Sequence, residues 1–68
     1  MRQVVLYEGE DGWWVAECPS LPGVISQGRS REEAIANVKE AIRGYVKALE
    51  EDGLPVPEER SSVSVVAV

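Results

Sequence analysis

The candidate catalytic or metal-binding side chains of this chain are one cysteine and several carboxylates. Its 68 residues contain no histidine. Histidine is the usual general base and the commonest metal ligand, so both roles lack their ordinary side chain. Cys18 has no histidine to take up its proton, and we interpret it as a small core residue rather than a nucleophile. A single thiol also cannot form an intramolecular disulfide.

The carboxylates include two runs of neighbours. Glu32 and Glu33 stand at the start of a predicted helix, where the helix dipole favours negative charge. Glu50, Glu51 and Asp52 crowd the other end, where the dipole disfavours each by about 0.3–1 kcal/mol. The predicted strands supply no acidic cluster for a divalent metal, so we expect no catalytic site, cofactor or metal. We predict that the misplaced acidic run contacts a partner.

A proline-rich loop precedes this helix. Pro19 and Pro22 donate no backbone N–H, so a central strand cannot continue through them. Pro22 and Gly23 suit the two central positions of a tight turn. Leu21 is the large apolar anchor of the loop, and Gly28 ends the short strand that follows.

The helix itself has clear limits. Ser30 is a good N-cap, and Glu33 completes the pattern of a capping box. Gly53 and the proline that follows it predict the end of the helix. A spacing of about 100° per residue places one set of apolar side chains on a single face: Ile35, Val38, Ile42, Tyr45, Val46 and Leu49.

Strand patterns predict the remaining elements at residues 2–7, 13–18, 24–27 and 63–68. The element order is therefore β-β-β-α-β. It predicts a single small α+β domain, residues 1–68, with an antiparallel-rich sheet and one long helix on one face.

One helix can cover only one sheet face, so the other face should be exposed. Alternation along the second strand places Trp13, Val15 and Glu17 together, and the charge of Glu17 indicates that they point outward. With Tyr7, this aromatic and aliphatic face predicts a partner-binding surface. We expect a second copy to pack there, which would make the protein a homodimer or a higher oligomer.

The net charge of −5 argues against direct binding to nucleic acid or to an anionic membrane. The first residues lack the apolar core of a signal peptide, and no run approaches a transmembrane length. A cytoplasmic protein is the expectation.

Four motifs together resemble the HicB-like antitoxin family. They are Gly-Trp-Trp-Val at 12–15, Cys-Pro-Ser-Leu-Pro-Gly-Val at 18–24, Ser-Gln-Gly at 26–28 and Ser-Arg-Glu-Glu-Ala at 30–34. The family pattern has an aromatic strand, a Pro-Asp-Leu-Pro-Gly loop, a Thr-Gln-Gly-type strand end and a Thr-x-Glu-Glu-Ala helix start. Ser20 stands where aspartate is usual, Arg29 where an acidic residue is usual, and Ser30 where threonine is usual.

The resemblance implies a partial RNase H-like fold of order βββαβ. It also implies an antitoxin that binds a small basic toxin, an mRNA interferase with a double-stranded-RNA-binding-like fold, and blocks its catalytic histidine. Many family members carry a further DNA-binding domain, for which 68 residues leave no room, so we expect none here. An alternative stays open: an orphan homo-oligomeric domain that binds a small ligand or an unrelated protein.

Overall fold

The computed structural model describes residues 1–59 and 62–68. Its elements in chain order are strand β1 (Val5–Glu8), a short 3-10 turn (Glu10–Gly12), strands β2 (Trp14–Glu17) and β3 (Ile25–Gly28), and helix α1 (Arg31–Glu51). The strands form one antiparallel sheet in the order β1-β2-β3. The predicted small α+β domain with one long helix is confirmed.

The register of the sheet separates its two faces. Leu6 pairs with Ala16, and Tyr7 pairs with Val15. Ala16 and Cys18 are buried under the helix, while Tyr7 is exposed. The predicted division of the second strand into an inner and an outer face is therefore confirmed, and Trp14 packs against the core on the inner side.

The loop between β2 and β3 is built as its prolines and glycine predict. The Val24 N–H donates to the Leu21 carbonyl at 3.1 Å, which closes a tight turn over Pro22 and Gly23. Gly23 has a φ of +83°, a conformation that side chains with a Cβ rarely adopt. Leu21 is fully buried and anchors the loop to the core.

Replacing Gly23 with alanine should lower the thermal midpoint because of this backbone conformation alone. Nothing lies within 4 Å of a Cβ placed there, so the loss should be moderate, about 1 kcal/mol. Differential scanning calorimetry checks it against Lys47→Ala, a change on the exposed helix surface that should leave the midpoint in place. Equal midpoints for the two variants would contradict the turn assignment.

Both helix ends follow the predicted signals. The Glu33 N–H donates to the Ser30 Oγ at 3.1 Å, so Ser30 is the N-cap. The Glu33 carboxylate reaches back to the Arg29 N–H at 2.9 Å, one residue before the usual partner in a capping box. At the other end, Leu54 and Gly53 donate to the Leu49 and Glu50 carbonyls, the two bonds of a Schellman motif, with Gly53 at a φ of +68°.

The core lies between the helix and the inner face of the sheet. Helix α1 packs mainly across β2 and β3. Its two fully buried side chains, Ala34 and Val38, lie in the first half of the helix. The buried cluster consists of Ala16, Cys18, Leu21, Val24, Ala34 and Val38.

The predicted fourth strand at residues 63–68 is wrong: residues 62–68 form no strand. β1 also begins later than predicted, at Val5 rather than Arg2. The contacts of Arg2 and Gln3 give a physical reason for the later start of β1. The Arg2 guanidinium donates to the Pro57 carbonyl at 2.7 Å and to the Ser20 Oγ at 2.9 Å. The Gln3 N–H donates to the Glu59 carboxylate, so a side chain takes the place of a strand partner there.

Candidate functional site

The surface opposite the helix is the candidate site, and we call it the outer sheet face. Tyr7 and Val15 are directly paired across β1 and β2, and Val15 is paired with Gln27 of β3. Glu17 is paired with Ile25. The face therefore combines apolar, aromatic and polar groups in one layer that the helix does not cover.

Tyr7 and Glu17 are joined at one side of the outer sheet face. The Tyr7 hydroxyl donates to the Glu17 Oε1 at 2.9 Å. This hydrogen bond to a carboxylate, with smaller effects of desolvation and of the Glu17 charge, raises the pKa of Tyr7 above its ordinary value. At neutral pH Tyr7 is therefore a hydrogen-bond donor held in place by Glu17, with 42% of its surface exposed.

Trp13 and Arg29 extend the outer sheet face beyond the paired residues of β2 and β3. The Arg29 guanidinium carbon lies 5.1 Å from the centre of the Trp13 ring, within the range of a cation–π contact. Trp13 is half-buried, and Arg29 is exposed. The contact places a cation against a large aromatic side chain at the rim of the face.

The acidic helix end, Glu50, Glu51 and Asp52, is a separate exposed surface. Lys47 approaches Glu51 at 3.9 Å from one turn earlier in the helix. An exposed pair of this kind contributes little to stability. The last turn contains no basic residue, so the negative charge adds to the negative end of the helix dipole.

The structure thus divides the predicted partner-binding residues between two places. Tyr7 and Val15 are paired on the outer sheet face, and Trp13 lies directly before β2 against Arg29. Glu50, Glu51 and Asp52 belong to the helix layer, on the other side of the sheet. Their participation in binding stays a prediction.

Sequence reasoning did not single out the other residues of this face as binding candidates. Ile25 is 53% exposed there, beside Glu17 and near Tyr7. Arg29 was noted only as a departure from the family pattern, yet it stacks on Trp13. Predicting these neighbours requires the register of β2 with β3, which places residues of the two strands side by side.

The described ranges, 1–59 and 62–68, bring together no three thiol or carboxylate side chains that could hold a metal ion. None of their helices is long and apolar enough to cross a membrane. What the outer sheet face offers is an exposed surface with one hydrogen-bonded tyrosine hydroxyl, and the cation–π pair of Trp13 and Arg29 lies at its end. Such a surface suits contact with another macromolecule.

Comparison with known proteins gives one family and several relatives. The model described as "HicB_like antitoxin of bacterial toxin-antitoxin system" matches residues 3–67. A UPF0150 protein of Thermoplasma acidophilum is 38% identical over 85% of this chain and 84% of its own length. A UPF0150 protein of Synechocystis is 45% identical over 94% of this chain and 82% of its own length. A UPF0150 protein of Archaeoglobus fulgidus is 46% identical over 74% of this chain and 75% of its own length. No solved structure matches, so the partial RNase H-like architecture stays a prediction.

Proposed function

Because this chain belongs to the HicB-like antitoxin family of bacterial toxin–antitoxin systems, we propose that it binds a small basic RNA-cleaving toxin and occludes its active site. The chain would act by covering the toxin rather than by catalysis. The family match over residues 3–67 is the observation that carries this proposal. Two properties of the described residues support it. One concerns the lifetime of the complex and the other concerns the rate of association.

The first property is the composition of the outer sheet face. Interfaces gain most of their affinity from a few oriented aromatic and arginine side chains. Tyr7 is held by Glu17, and Trp13 is held by Arg29. Both rings therefore lose little conformational freedom when a partner covers them. We propose that Tyr7, Trp13 and Val15 form the contact that controls the lifetime of the complex.

The second property is the distribution of charge. A net charge of −5 attracts a basic protein from a distance, and the acidic helix end concentrates part of that charge. Electrostatic attraction acts over about 10 Å at moderate salt, so these carboxylates need not touch the partner to speed its approach. We propose that Glu50, Glu51 and Asp52 steer the encounter.

Reversing all three of these charges to lysine should slow association and weaken its dependence on salt concentration. Dissociation should change little, because steering acts mainly on the encounter. Trp13→Ala should do the opposite, speeding dissociation with a smaller change in association. The measurement is surface plasmon resonance at several salt concentrations, with the toxin partner taken from the neighbouring open reading frame.

The matched control reverses Glu32, Glu40 and Glu58 instead, three exposed carboxylates outside the outer sheet face and outside β1. Both triple variants then carry the same net charge, so a larger effect at the helix end isolates the contribution of its position. Should the purified wild-type pair fail to associate at low salt, or should co-expression fail to rescue growth, the toxin-binding proposal is wrong.

Self-association is the second part of the proposal. With one helix over one sheet face, Tyr7, Ile25, Val65 and Val66 remain exposed among the described residues. Small domains without disulfides or metals often gain stability by forming oligomers. We propose a homodimer or a higher oligomer that covers part of this apolar surface.

A further inference from the structure

The two edge strands of the sheet, β1 and β3, differ in the hydrogen bonds that they make with the rest of the chain. At the β3 edge, the Asn37 side chain donates to the Gln27 carbonyl at 2.8 Å, so the helix supplies a bond at that edge. At the β1 edge, no other strand is paired with β1 within the described ranges. An edge strand of this kind is a template for pairing with another chain.

The hydrogen-bond pattern shows which backbone groups this edge offers. The Gly9 N–H donates to the Trp13 carbonyl at 2.7 Å, continuing the register that pairs Tyr7 with Val15. Bonded and non-bonded pairs alternate along an antiparallel ladder. The backbone groups of Val5 and Tyr7 therefore face β2, and those of Leu6 and Glu8 face outward.

The same chain contains a segment suited to such an edge. Residues 62–68, which we call the valine segment, read Ser-Val-Ser-Val-Val-Ala-Val and have a strong preference for strands. They form no strand within the chain. Val65 is 87% exposed and Val66 is 72% exposed, although Val63 and Val65 border a groove beside residues 1–6.

We infer that the valine segment of one copy adds as a strand to the β1 edge of a second copy. Among the described residues, each copy offers the β1 edge and the valine segment, so a two-fold dimer pairs both β1 edges at once and closes the assembly. The added valines would also extend the outer sheet face beside Val5 and Tyr7. The inference rests on the proposed self-association and is independent of the toxin partner.

Proline substitutions test this exchange because proline cannot donate a ladder hydrogen bond. Val65→Pro and Val66→Pro change adjacent exposed residues, and since the N–H groups of adjacent strand residues point to opposite sides, one of the two variants removes an N–H that faces β1 in either register. Glu8→Pro removes an N–H that faces away from β2. Glu8→Pro and one of the two valine-to-proline variants should each weaken dimerisation about tenfold or more while the helical circular dichroism is unchanged. Val65→Thr, Val66→Thr and Glu8→Thr keep the N–H and have a β-branched side chain that suits a strand, and they should dimerise like the wild type.

Sedimentation velocity over a wide micromolar range measures these dissociation constants on the full chain. A wild type that is monomeric throughout would overturn both the exchange and the proposed self-association. A dimer that forms as tightly with both Val65→Pro and Val66→Pro as with their threonine counterparts would overturn the exchange alone. A monomer that melts at a lower temperature when Val65 is proline would show pairing within one chain, which also overturns the exchange.

Discussion

Replacing Gly28 with alanine is expected to destabilise the domain by about 3 kcal/mol or more, the upper part of the range for overpacking. A Cβ at Gly28 would lie 2.5 Å from the Ala34 backbone nitrogen and 2.8 Å from two atoms of Glu33. These atoms belong to the first turns of the helix and cannot rotate away as a flexible side chain would. Relief requires the helix to move away from β3, which opens the core at Ala34 and Val38.

For a domain of this size, each kcal/mol lowers the thermal midpoint by about 4–8 °C. The Gly28→Ala midpoint should therefore fall by at least about 12 °C, as measured by circular dichroism at 222 nm. The matched control is Gly44→Ala on the exposed side of the helix, where nothing lies within 4 Å of the added carbon. That change should raise the midpoint, because alanine exceeds glycine in helix preference by about 1 kcal/mol. A Gly28 variant that melts with the wild type would show that β3 and the helix are not in this close contact.

Leu21→Ala is expected to have an effect of similar size, by a different mechanism. Leu21 is fully buried and is one of the two largest buried side chains of the described residues. Removing a buried leucine side chain typically costs about 2–5 kcal/mol, through lost burial and the cavity left behind. In a domain with a stability of about 5 kcal/mol, a cost of this size would populate the unfolded state at ordinary temperatures.

Urea denaturation followed by tryptophan fluorescence measures this loss. Leu54→Ala is the matched control, since Leu54 is 52% exposed just after the helix and its truncation should cost much less. Similar midpoints for the two leucine variants would contradict the placement of the loop in the core.

The limits of the helix and the turn before β3 could be predicted from the sequence because their causes are local. The capping bond of Ser30 and the turn over Pro22 and Gly23 each join residues at most four positions apart. The apolar face of the helix follows from a fixed angle per residue: its Val38 is buried, and its Ile42, Tyr45 and Val46 pack partly buried against the core. The other buried helix side chain, Ala34, lies outside the predicted set. Alternation in β2 similarly identified its outer side, since successive strand residues point to opposite faces.

Features that depend on distances between remote segments were decided only by the tertiary structure. The role of Gly28 depends on how closely β3 approaches the helix, and the stacking of Arg29 on Trp13 depends on the pairing of β2 with β3. Residues 63–68 have the composition of a strand, but composition cannot supply a pairing partner. In the folded chain, Arg2 and Gln3 are bonded to the connector after the helix, and the valine segment forms no strand beside them.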